Sequence, residues 1–509
     1  MLRAEIRRNT QGTNPKEHTM RNRFFVAAAA ALALVAPAVR PACAATHPRD
    51  LRFPTIAVQT PAYEEIALSN GMTGFFLEDH EIPVVEIYML VGTSRDPREK
   101  TGLGDLATWT IRNGGTETWP ADRINEELEF VAAQIEFGGG GRGFPGRAVP
   151  LAEEAGASPS RGQSVGVRVN CLRKDLDLCL TILGDLLRSP AFPEDKIELR
   201  RAVMVENIRR ENDEPRGVAF REFRKVLYGG HPMAWRATEE TVNAVTRDDL
   251  VAFHQAYFHP NNVLIGVSGD VTKDEIVAAL EKGLAGWESA PVIIEPEPPL
   301  ALTFTPSVSY VKKDLNQAVI CIGHLGINRS DPNRQAVALM NYILGGGSFA
   351  SRIMQRVRSD EGLAYHAGST YGDDPWTYGM FTATSQTKSD AAGRAAQLMI
   401  DIIREMHDLG PTPEELAKAK DAYLNAQAFE YESKARVVQQ LVRLKWEGLP
   451  LDQPERDMAA VAALTLEDVR KAAAEYLHPD GMAILFVGDE AQFDMPLSTF
   501  GEVRTIELP

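Results

Sequence analysis

Thr246-Arg-Asp-Asp-Leu250, followed by Tyr257-Phe-His-Pro-Asn261 and Gly269-Asp270, recurs as Thr465-Leu-Glu-Asp-Val469, Tyr476-Leu-His-Pro-Asp480 and Gly488-Asp489. The offset is 219 residues at every matched point, with no gap. Two copies at so long a period mean duplicated domains, not a solenoid of short units. Each copy opens on Thr-x-x-Asp, in which the threonine and the acidic residue satisfy each other's free N–H groups at a helix start. The helix ends near His-Pro, and an apolar strand follows, Val263-Leu-Ile-Gly-Val267 in one copy and Met482-Ala-Ile-Leu-Phe-Val487 in the other. Upstream, Phe192-Pro-Glu-Asp195 and Thr412-Pro-Glu-Glu415 each open a long helix with proline in its first turn. Val84–Leu90 and Ala318–Ile322 read as strands. Strands and helices mixed without strict alternation predict an α+β fold: two homologous domains, each a mostly antiparallel sheet covered by helices on one face.

The rest of the chain arranges itself around that repeat. A chain of 509 residues exceeds one ordinary core, and two domains of about 200 residues are expected. The boundaries predicted are 50–287 for the first domain, 288–306 for a linker rich in proline and acidic residues, and 307–509 for the second. Glycine, proline and small residues over 138–161 mark an insertion within the first domain. Residues 1–44 read as an upstream segment and a cleavable export signal. Arg21 and Arg23 precede the apolar run Phe24–Val39, and Ala42-Cys43-Ala44 supplies the cleavage pattern. Translation can start at Met1 or at Met20. The apolar run is too short for a membrane anchor, so a periplasmic or secreted protein with no integral membrane segment after cleavage is expected. Cys171, Cys179 and Cys321 remain after cleavage; their number is odd and their spacing fits no metal motif, so buried thiols are expected. The net charge of −16 is spread along the chain, which argues against a nucleic-acid or anionic-membrane surface.

Several short motifs go further. They are Gly92-Thr-Ser-Arg-Asp-Pro97, Gly102-Leu-Gly104, Gly114-Gly-Thr116, Leu227-Tyr-Gly-Gly-His-Pro232, Leu344-Gly-Gly-Gly347, and Arg358 with Gly362-Leu-Ala-Tyr365. On these the chain resembles the pitrilysin/insulinase family of zinc metallopeptidases along essentially its whole mature length. Active members carry H-x-x-E-H on a helix: the two histidines face one way and bind zinc, and the glutamate activates the metal-bound water. Here the corresponding stretch is Asp105-Leu-Ala-Thr108-Trp109. Asp105 stands for the first histidine, Thr108 for the base and Trp109 for the second histidine. Threonine cannot act as a carboxylate base, and an indole N–H has no lone pair for zinc. Glu206 aligns with the family's distant zinc glutamate, and alone it makes a poor metal site. None of the ten histidines pairs with another at i, i+3 or i, i+4. No metal or cofactor is therefore expected in this chain.

The resemblance also implies that Arg358 and Tyr365 correspond to an arginine and a tyrosine that reach substrate carbonyls near the scissile bond. The alternative is local: Arg358 caps or ion-pairs locally with Asp360 or Glu361, and Tyr365 is a strand core residue. An intact Arg/Tyr motif beside a lost zinc motif implies a non-catalytic, substrate-binding subunit, half of a clamshell. A zinc-bearing homologous subunit would supply the metal in a heterodimer that cleaves extended peptides. The competing readings are a structural or assembly module with no role in proteolysis, and a self-sufficient metallopeptidase with a rebuilt site.

Overall fold

The computed structural model describes residues 61–139 and 164–509. The expected export signal and all but Gly138 and Gly139 of the expected insertion lie outside the described residues. These two glycines close a strand.

Strands β1 (Glu64–Ala67), β2 (Thr73–Glu78) and β3 (Val84–Gly92) lead into helices α1 (Leu103–Gly114) and α2 (Ala121–Phe130). Strands β4 (Gln134–Gly139) and β5 (Ser164–Leu172) follow. Then come α3 (Leu176–Arg188), α4 (Glu194–Arg210), α5 (Pro215–Tyr228), α6 (Glu239–Asn243) and α7 (Arg247–Tyr257), and β6 (Val263–Gly269) and α8 (Lys273–Gly283) complete this half. The sheet order is β1-β2-β6-β3-β5-β4, with only the β2–β6 pair parallel.

After coil through residue 306 the pattern returns with β7 (Ser307–Lys312), β8 (Gln317–Leu325), β9 (Ile327–Asn328), α9 (Arg334–Asn341), β10 (Ala364–Tyr371), β11 (Asp373–Asp374) and β12 (Met380–Lys388). Helices α10 (Ala392–Leu409), α11 (Pro413–Gln427), α12 (Lys434–Trp446), α13 (Gln453–Ala463) and α14 (Leu466–Tyr476) precede β13 (Ala483–Gly488) and β14 (Val503–Thr505). This sheet runs β10-β12-β8-β13-β7-β14, so β13-β8-β12-β10 repeats β6-β3-β5-β4. Both expected Thr-x-x-Asp caps form, at Thr246 with Asp249 and at Thr465 with Asp468.

The sheets depart from the expectation in one respect: helices cover both faces. On β3, Val85, Ile87, Met89 and Val91 point into the core made with helices of the same half, while Leu90 points the other way. On β8, Ala318, Ile320 and Ile322 divide in the same manner from Val319 and Cys321. Strands buried on both faces read as unbroken apolar runs. The second face is covered by a helix from the opposite half. Val218, Ala219 and Phe223 of α5 pack on Val311, Val319, Cys321, Ala483, Leu485 and Val487 of the second sheet. Val437, Val438, Leu441 and Val442 of α12 pack on Phe75, Leu77 and Leu90 of the first. Pro215 and Lys434, the first residues of the two helices, are again 219 apart, so the exchange is part of the duplication. A Cβ added to Gly266 on β6 would lie 3.0 Å from Val442 and 3.1 Å from Val438; glycine here lets α12 come close. Both sheets belong to one compact unit, Ile56–Pro509.

All three expected thiols are free and buried. Burial pushes the Cys321 thiol up to about 12.

Two histidines are built in as neutral groups. His324 Nδ1 donates to the Leu325 carbonyl at 2.7 Å, and its Nε2 accepts from the His478 N–H at 3.3 Å, which only the neutral ring can do. Burial lowers its pKa to about 3. His254 donates from Nε2 to the Leu187 carbonyl at 2.9 Å, and burial lowers its pKa to about 4.

Two outcomes follow. Phe223→Ala, which opens the exchanged contact, should cost about 3–5 kcal/mol in urea unfolding. Below about pH 6.5 the unfolded histidines bind protons that the folded ones refuse. Stability should therefore hold above about pH 6.5 and fall toward pH 4, by about 1.4 kcal/mol per unit for each histidine. Urea midpoints across that window check the slope, and His324→Gln should flatten it.

Candidate functional site

The first constellation sits on α1. Gly102, at φ 112°, turns the chain into the helix, and the Asp96 carboxylate takes the N–H groups of Gly102 at 2.8 Å and Gly104 at 2.9 Å. This explains the Gly92–Pro97 motif: a carboxylate fixed on the free donors of a helix start. Burial raises the Asp96 pKa against the pull of those hydrogen bonds.

One helical turn further on, Asp105 extends into solvent and Thr108 is buried, while Trp109 is half-buried. Asp105 meets Arg200 of α4, with Oδ1 2.6 Å from Nη2. The Arg200 guanidinium lies over the Trp109 ring, 5.7 Å from its centroid, and its Nε is buried with no hydrogen-bond partner. The positions of the two family histidines are thus bridged by a side-chain cation. Glu206 takes no part: it is exposed and pairs with Arg210 at 2.6 Å along its own helix. Among the described residues, no group of three or more His, Cys, Asp or Glu side chains is arranged to hold a metal. The residues at the zinc-motif positions do not fit zinc. An acid at one ligand position is tied to a guanidinium, an indole fills the other, and a buried threonine stands for the base.

Sequence reasoning missed Arg200. The sign that could have found it was a charge complement: an unexpected Asp105 on one helix calls for a cation on the helix packed against it. Asp105 is half-exposed, so its ion pair contributes little. Asp105→Ala should cost about 1 kcal/mol in urea unfolding, and the Asp105→Ala/Arg200→Met double variant no more than that, because no partly buried cation is then left behind.

The second constellation lies at the end strand β10, which among the described residues pairs with β12 alone. The Gly-rich turn comes first. It is a widened helical turn, Tyr342–Gly346, and a Cβ on Gly345 would collide with the backbone of Ser369 on β10. These glycines therefore serve close packing, and they swing the following Phe349 into solvent, where it is 65% exposed. Arg358 follows on the next widened helical segment, Met354–Asp360. Its guanidinium lies 4.8 Å from the Phe349 ring centroid and 5.3 Å from that of Tyr365.

Tyr365 is 83% exposed, because a register shift between Ala364 and His366 takes it out of the ladder. The local alternative for both residues is thereby corrected. Tyr365 is no core residue, and Glu361 pairs with Arg394 at 2.6 Å, not with Arg358. Among the described residues Arg358 has no carboxylate partner. Phe349 was not singled out from the sequence, although an aromatic directly after a Gly-rich turn is a signal for it.

Residues 244–423 match the family described as "Peptidase M16 inactive domain". An uncharacterized zinc protease of Streptomyces coelicolor is 26% identical over 321 residues, covering 60% of this chain and 68% of that protein. The crystal structure of a peptidase M16 inactive domain from Pseudomonas fluorescens superposes with a TM-score of 0.74. It is 24% identical, and 86% of this chain and 99% of that one are covered. The periplasmic protease PqqL of Escherichia coli superposes at 0.67 with 14% identity, and 89% of this chain covers 52% of that chain. With its duplicated sheets, its Arg/Tyr motif and a zinc-motif helix that does not fit zinc, the chain is similar to inactive members of the pitrilysin/insulinase (M16) peptidase family.

Proposed function

We propose that this chain is the non-catalytic, substrate-binding subunit of an exported M16 metallopeptidase. A homologous partner carries zinc, its histidines and the base; this chain supplies Arg358, Tyr365 and half of the chamber wall. The observation that carries the reading is the state of Arg358. Its guanidinium is stacked on two exposed rings beside an open strand edge, and no carboxylate of the described residues consumes it.

With no carboxylate of the described residues engaging them, the guanidinium N–H groups can donate to a carbonyl oxygen or an oxyanion. The exposed Tyr365 hydroxyl is a second donor beside it. An extended peptide can add to the β10 edge through main-chain hydrogen bonds, which would bring its carbonyls along this pair. The fold similarity to PqqL supports a two-part assembly, since a unit of this size accounts for about half of that longer chain. Export rests on the basic, apolar and small-residue pattern of residues 21–44. No helix of the described residues is long and apolar enough to cross a membrane.

The test is reconstitution with a zinc-motif homologue from the same source. The chain purified alone should hold far less than one zinc. With the partner, Arg358→Ala and Tyr365→Phe should each lower kcat on peptides by about 10- to 1000-fold while the complex still forms on size exclusion. Unchanged turnover in both variants would instead favour the structural or assembly module. One tightly bound zinc per isolated chain would point to a self-sufficient enzyme.

A further inference from the structure

Two of the three buried thiols are neighbours. Cys171 is the last residue but one of β5 and lies directly opposite Val85 of β3, so it points with Val85 toward the helices of its own half. Cys179 stands in the first turn of α3 and faces the same core. The chain between them, Leu172-Arg-Lys-Asp-Leu-Asp-Leu178, makes one tight turn over Arg173–Asp175 and runs straight into the helix. The Arg173 N–H anchors that turn to the Pro83 carbonyl at 3.0 Å. Strand end and helix start are thereby held side by side, and the Cys171 and Cys179 thiols hydrogen-bond to one another. Cys321 belongs to a different cluster, under α5 on the second sheet, with no second cysteine in it.

Side-chain rotation is all that separates such a thiol pair from an S–S bond of about 2 Å. An export compartment is oxidising, and thiols held together there do not stay reduced. We propose that Cys171 and Cys179 are joined by a disulfide in the exported protein, which pins the start of α3 to the end of β5. The two thiols give up two protons and two electrons; a disulfide-bonded oxidant of the export compartment accepts them and is left as a dithiol. The exchange takes place while the chain folds, because the finished core leaves Cys171 1% and Cys179 0% exposed. The same burial then shields the bond from reductants. Cys321 stays a free thiol.

This inference rests on the export reading, and the test separates the two. A Cys43→Ser chain is refolded from denaturant in a glutathione redox buffer, alkylated with N-ethylmaleimide and mapped by mass spectrometry without reduction. A Cys171–Cys179 link beside an alkylated Cys321 is expected; three alkylated cysteines, or a link through Cys321, overturn the proposal. The unmodified chain, expressed with its own N-terminal segment, is then fractionated and mapped in the same way. Processed periplasmic protein with both thiols alkylated overturns the disulfide and leaves export standing. An unprocessed chain kept in the cytoplasm sinks the export reading, and the disulfide with it. In the oxidised chain Cys179→Ala should lower the melting temperature by about 3 °C. The same substitution after refolding in reductant should cost clearly less; an equal loss in both would mean that no bond was removed, which also overturns the proposal.

Discussion

The exchange of α5 and α12 between the two halves is the contact on which the rest of the molecule depends. A six-stranded sheet whose central strands are apolar on both faces has to cover both, and the helices of its own half cover one. Each half sends a single helix across to close the remaining face of the other, with Phe223 and Val442 at corresponding positions. Each fully buried side chain of this kind contributes roughly 1.5–3 kcal/mol. Neither half can therefore lose its neighbour without exposing a sheet face.

The positions that match the zinc motif are filled by other contacts. A zinc ion between α1 and α4 would be a compact cation holding two helices together. Here a guanidinium on one of those helices meets an acid and an indole on the other. The acid is half-exposed and serves mainly as a nearby counter-ion for a guanidinium that is itself mostly covered. The other half has kept its exposed arginine and tyrosine, which need no metal to donate hydrogen bonds.

The duplication, the capped helices and the strands were legible in the sequence, because each rests on local chemistry repeated at a fixed offset. Asp249 and Asp468 cap as their spacing requires, and β6 and β13 follow where the apolar runs stand. The exchange was not legible. Doubly apolar strands such as Val84–Gly92 show that both faces are buried, but not which helix buries the second. The degenerate positions were legible as losses, while Arg200 was not, since its role depends on how α1 and α4 pack. Tyr365 was ambiguous for a similar reason. Alternation predicts a face for every residue of a strand until a register shift lifts one out, and nothing in Leu363-Ala-Tyr-His366 announces that shift.

The crossing of α12 also sets a constraint in time. A chain is made from its N-terminus, and the last strand of the first sheet is complete at Gly269. The helix that covers Phe75, Leu77 and Leu90 begins only at Lys434. While residues 270–433 are being produced, that sheet face is open and apolar, a template for sticking to whatever emerges nearby. The nascent first half has to wait for its cover, so this architecture favours cells that keep the chain loose or chaperoned until its C-terminal part arrives.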